Sequence, residues 1–207
     1  MSKLQKALLY ACQIMNSKGR GYADHWGSAF GKELVEAEVG RQLRDFLVKQ
    51  GRAIEGTVQN RPPPYPDVVL KDQLDGEWGI EVTEIVDSSA ARIGRKVHRG
   101  ALPESERVYR AWTPEELSEK LKERVARKDG KLANPPTELS KMILAIHTDE
   151  LTIDVSMVRE TLSKIELPLV TESIDMVFFV MSYSPRSDLS IFPNGYPVFE
   201  IPVVRSG

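Results

Sequence analysis

The chain has 207 residues, enough for one domain with a substantial buried core. Hydrophobic residues make up 41% and charged residues 28%, which is ordinary globular composition. A net charge of −2 excludes a globally basic nucleic-acid binder but not a local cationic patch, and no apolar run approaches the roughly 18 residues that span a bilayer.

Residues 4–16 place Leu4, Leu8, Leu9, Cys12 and Met15 at helical spacing, so residues 1–30 read as an N-terminal helical extension. Cys12 is the single cysteine. It excludes an intrachain disulfide and fits a reducing compartment. The apolar start carries no signal-peptide cleavage pattern, so the expected location is the cytoplasm, with no membrane partner.

A second helix is predicted from about Gly31 to Gln50, closed by Gly51. The run "RAIEGTVQN" is a predicted strand, and "RPPPYP" is a rigid extended entry. The stretch "PPYPDVVLKDQLDGEWGIEVTEIV", Pro63 to Val86, reads as two strands around a turn. A polar, basic stretch follows, "SSAARIGRKVHRGALPESERVYR". "TPEEL" opens a further helix, with Thr113 as N-cap, Pro114 in the first turn and Glu116 completing a capping box. That helix is expected to end near Gly130.

"SKMILAIH" and "IDMVFFVMSY" are apolar runs of strand length, suited to burial on both faces, and "VSMVRETLSKI" between them reads as a crossover helix. "IFPNGYPVFEIPVV" predicts a C-terminal β-hairpin turning at "NG", kept to an edge by its prolines. The expected fold is therefore one α/β domain over residues 31–207, with a central mixed sheet flanked by helices.

The two strands of the Pro63–Val86 stretch carry the chemistry. Glu81 and Thr83 point to one face of their strand, Ile80 and Val82 to the other. If the strands pair antiparallel, Asp67 and Glu81 converge at one end of the sheet. Two close carboxylates repel unless a proton or cation lies between them, and a hard cation such as Mg²⁺ suits that oxygen pair. The plainer reading is two exposed strand acids with Pro-Asp as turn chemistry. Against it, Glu81 stands in the otherwise apolar run "WGIEVTEIV", where an uncompensated acid is costly.

"PD" at Pro66–Asp67 followed by "EVT" at Glu81–Thr83 resembles the PD-(D/E)XK nuclease superfamily, and so does the αβββαβ order over roughly Lys32 to His147. The resemblance implies a restriction-endonuclease-like core and a metal-dependent nuclease. Asp67 and Glu81 would bind Mg²⁺ or Mn²⁺, and the substrate would be nucleic acid, DNA first. Such nucleases often pair to cut both strands, so a homodimer is also implied.

The family often adds an acid on the preceding helix. At about 100° per residue, Val35, Val39, Leu43, Phe46 and Leu47 share one face, and Glu36 projects inside it. Glu36 is then a further ligand or supporting acid, or else a stripe-edge glutamate reaching water. Thr83 departs from the family pattern, which has lysine there. It keeps a hydroxyl but supplies no charge. On the capped helix, Lys128 falls at the centre of the stripe made by Leu117, Leu121 and Val125, a place to which the lysine has migrated in some relatives. A last-turn lysine facing the helix dipole is the alternative.

Arg92, Arg95, Lys96 and Arg99 lie in the basic stretch after Glu81. They are either contacts for a phosphate backbone or a solvated surface. Loss of lysine at position 83 also admits a second reading, a non-catalytic binding or assembly module on the same fold. An unrelated α/β protein with incidental acids is a third. "GSAFGKE" fails the phosphate-loop pattern, and His25, His98 and His147 lack metal-ligand spacing. Trp78 and Trp112 read as packing residues.

Overall fold

Helix α1 (Ala29–Lys49) forms where the apolar residues recur at helical spacing, and Val35, Val39, Leu43 and Leu47 are buried on one side of it. Gly51, with φ of 85°, ends it in the left-handed conformation that glycine adopts without strain. Gly40 costs the helix about 1 kcal/mol relative to alanine. It also allows close approach, since a Cβ there would stand 2.9 Å from a Val68 methyl. In this computed structural model the described residues are 29–61, 66–106, 110–148, 150, 152–181 and 197–206. The predicted extension over residues 1–30 falls almost wholly outside them.

Strands β1 (Ile54–Asn60), β2 (Val68–Asp72) and β3 (Gly76–Glu84) form an antiparallel meander. Gly76, with φ of 86°, lies in the β2–β3 turn region, and Asp72 accepts from the N–H groups of Leu74 and Asp75. Helix α2 (Ser88–His98) comes next, then a 3₁₀ turn at Glu104–Glu106 and helix α3 (Pro114–Lys131). The predicted capping box of α3 is present: Glu116 N–H donates to Thr113 at 3.2 Å, and Thr113 N–H to Glu116 at 3.0 Å.

The chain continues through β4 (Leu139–Thr148), α4 (Val155–Lys164), β5 (Leu169–Thr171), β6 (Met176–Met181), β7 (Val198–Ile201) and β8 (Val203–Arg205). Six strands make one mixed sheet in the order β1-β2-β3-β4-β6-β7, with β3–β4 and β4–β6 parallel. β5 and β8 form a small parallel pair. The α/β class with a central mixed sheet and flanking helices is thus observed. Among the described residues no helix is long and apolar enough to cross a membrane.

Two differences from the sequence reading stand out. The basic stretch contains a helix, α2, that the predicted element order lacks. The NG turn and first arm of the C-terminal hairpin lie outside the described residues. Its second arm divides at Pro202, β7 joining the edge of the main sheet beside β6 and β8 joining β5.

The described residues fall into two compact units, one of them residues 29–32 with Val86–Arg110 and the other Glu33–Ile85 with Ala111–Gly207. In the larger unit the core has two layers. Val68, Leu70, Trp78, Ile80, Val82, Ile143, Ala145 and Phe178 cover one sheet face under α1. Leu144, Ile146, Val177 and Phe179 cover the other, against Leu117, Leu121 and Val125 of α3 and Val158 of α4. Burial on both faces explains the unbroken apolar run of β4. In the smaller unit, Asp87 caps α2 by accepting from Ala90 N–H at 2.8 Å.

Candidate active site

On β3, Trp78, Ile80 and Val82 belong to the α1 layer. Gly79, Glu81 and Thr83 therefore point to the face on which α3 packs. Gly79 makes room there: a Cβ would lie 2.6 Å from the Pro66 ring and 2.8 Å from a Leu139 methyl. The missing side chain lets Pro66 close onto β3, and Asp67 follows it. The β2–β3 register pairs Val68 with Ile80, so one residue further Asp67 stands across from Glu81. Asp67 Oδ2 accepts from Val82 N–H at 2.9 Å, which holds the carboxylate beside the Glu81 backbone.

Lys128 reaches this face from α3. Its Nζ lies 2.5 Å from Glu81 Oε1, with side chains 14% and 21% exposed. Both charges are largely out of water, so removing either leaves the other poorly compensated. Thr83 is buried on the same face and brings no charge. The structure thus brings Asp67, Glu81, Thr83 and Lys128 to one face of the sheet.

Glu36 is buried, as its place within the stripe implied. Its helix packs on the opposite face. The N-terminal half of α1 lies over the end of the sheet where β2 begins, since Gly40 abuts Val68 and Asn60 donates to the Glu33 carbonyl at 3.2 Å. Among the described residues no three His, Cys, Asp or Glu side chains are grouped to hold a metal ion, so Glu36 does not complete a three-acid cluster with Asp67 and Glu81. Asp67 and Glu81 are the two carboxylates that would hold an ion such as Mg²⁺, which uses one or two protein carboxylates and fills its other positions with water and phosphate oxygens.

One anchor fixes the end of α3 that carries Lys128. Its neighbour Asp129 is buried and accepts from the N–H groups of Glu172, Ser173 and Ile174 at 2.7, 2.8 and 3.1 Å. At the other end of α3, Glu115 meets Lys164 of α4 at 2.9 Å.

Arg92, Arg95, Lys96 and Arg99 all lie on or just after α2. Their spacing of three, four and seven residues gathers them on one face, opposite Ala90 and Val97. Arg92, Lys96 and Arg99 are exposed and Arg95 is half-buried.

Arg124 and Glu84 escaped the sequence reading, and His147 was set aside in it. Arg124 falls in the same α3 stripe as Lys128 by the same angular arithmetic. Glu84 and His147 are both buried and stand beside each other in the β3–β4 register. His147 looks isolated in sequence because its neighbour comes from another strand. Trp78 and Trp112 are buried, as packing residues should be. No family model, curated protein or solved structure matches the chain.

Proposed function

We propose that the protein is a metal-dependent nuclease of the PD-(D/E)XK type acting on DNA. The observation that carries this reading is the meeting of two strand acids and a helix lysine: Asp67 across from Glu81, with Lys128 on Glu81 at 2.5 Å. The order α1–β1–β2–β3–α3–β4, with β3 and β4 parallel, supports a restriction-endonuclease-like core.

In this reading Asp67 and Glu81 would hold Mg²⁺ or Mn²⁺, without Glu36, whose helix covers the other face of the sheet. The ion would supply Lewis-acid activation of water and neutralise charge on the phosphodiester. Val82 N–H fixes the Asp67 carboxylate for ligation. Lys128 brings the positive charge that Thr83 lacks and steadies charge developing on the phosphate. The Thr83 hydroxyl offers a donor and acceptor for water. The cationic face of α2 supplies contacts to a phosphate backbone, sequence-independent and weakened by salt.

A non-catalytic nucleic-acid-binding or assembly module is the second reading. Threonine at position 83 and the two-acid site favour it. Thermal melting separates the two. The nuclease reading expects Mg²⁺ or Mn²⁺ to raise the Tm of the wild type by mass action, and Asp67→Ala and Glu81→Ala each to abolish the rise. A wild type indifferent to both ions supports the module.

A further inference from the structure

Arg124 is the residue of the site face whose environment lacks an evident partner. It sits on α3 one turn before Lys128, which brings the two Cβ atoms to about 5–6 Å. The guanidinium is half-buried, and its Nε is enclosed without a hydrogen-bond acceptor among the described residues. No ion pair to Arg124 is formed among them either, whereas Lys128 has Glu81 and Lys120 has Glu123. Desolvation pulls the pKa of Arg124 below its usual value and Arg127 adds repulsion, against the attraction of Glu123 and Glu84. A forked cation held partly out of water and left without a planar acceptor is arranged for an oxyanion.

We propose that Arg124 is a phosphate-binding residue that grips a phosphate of the nucleic-acid backbone beside Lys128 and the Asp67–Glu81 pair. The nuclease reading gives this ligand its identity, so the proposal rests on that reading for the substrate. The site chemistry itself is simpler: two cations on one helix face, one committed to Glu81 and the other without an ion-pair partner among the described residues. Lys128 serves the reacting end and Arg124 holds a phosphate. A guanidinium suits this task because its two parallel N–H donors match two phosphate oxygens.

The experiment uses the full chain as wild type, Arg124→Gln and Arg124→Lys. Melting is followed in rising inorganic phosphate. Binding of a short double-stranded DNA is followed by fluorescence anisotropy in EDTA across a range of salt. The wild type should be stabilised by phosphate. Arg124→Gln should lose that stabilisation while melting, in phosphate-free buffer, at or above the wild-type temperature. It should bind DNA about tenfold more weakly, with the salt slope reduced by about one. Arg124→Lys keeps the charge without the fork and should fall between the two, so it carries the test if Arg124→Gln fails to fold.

An Arg124→Gln chain that binds phosphate and DNA as the wild type does overturns the proposal. So does a wild type that phosphate does not stabilise, or a variant that melts lower with its phosphate response intact, which would make Arg124 structural. Cleavage is not the readout. Loss of phosphate binding in a chain that cuts nothing keeps the subsite and removes the nuclease reading. DNA cutting with unchanged binding by Arg124→Gln does the reverse.

Discussion

Asp129 shows how one buried side chain positions another. An acid in the last turn of a helix opposes the helix dipole, so its place there needs other partners. It has three, the backbone N–H groups of residues 172–174, and they tie the end of α3 to the loop before β6. Asp129→Ala should lower folding stability by about 2–4 kcal/mol, since it removes charge-assisted bonds and leaves N–H groups unmet. Chemical denaturation measures this, and a loss within experimental error would show the anchor to be idle. At this scale, helical angle alone placed Lys128 and Glu36 on inward faces, and both are largely buried. The same arithmetic reaches Arg124 once cations other than lysine are considered. Asp129 was not legible, because its partners lie more than forty residues away in the chain.

At the scale of elements, α2 is the instructive miss. Its buried side is made of Ala90, Ala91 and Val97, too small to register as an apolar stripe, while three cations, with Arg99 just after them, dominate its composition. A helix with that balance reads as a basic loop. The anchor of its unit is Asp87, which caps α2 and pairs with Arg110 at 2.8 Å. Burial works to raise the pKa of Asp87. The Ala90 N–H bond and the Arg110 guanidinium outweigh it, so the carboxyl titrates below its ordinary 3.8. A depressed folded-state pKa gives stability that is present above the unfolded value and lost as pH falls through the folded one. The α2 cap should therefore hold at full strength above about pH 4 and weaken progressively as pH falls through the lower folded-state value. An NMR titration of the Asp87 carboxyl should give a midpoint below 3.8 in the wild type. Arg110→Gln should move it upward, and an unmoved midpoint would show that the ion pair contributes nothing.

For the molecule as a whole, the α/β class was legible because each long element announced its own period. α1 and α3 showed apolar residues at helical spacing, and β4 and β6 were continuous apolar runs. The pairing of β7 and β8 with different sheets was not legible, since Pro202 looks like an edge device and says nothing of the partner strand. The geometry of the candidate site was legible in part. Two acids and a distant lysine followed from strand alternation and a helix wheel, and the fold brings Lys128 onto Glu81. The third acid was placed on the correct face of its own helix, but that helix covers the other side of the sheet.

The central claim is that these carboxylates and this lysine cut DNA with a metal ion. The direct measurement is cleavage of double-stranded DNA in Mg²⁺ and in Mn²⁺ by the wild type, Asp67→Asn, Glu81→Gln and Lys128→Met. The account predicts cutting that EDTA abolishes, and a loss of about 100-fold or more in each variant. Wild-type protein that cuts neither DNA nor RNA with either ion, or cutting that survives in the acid variants, would contradict it.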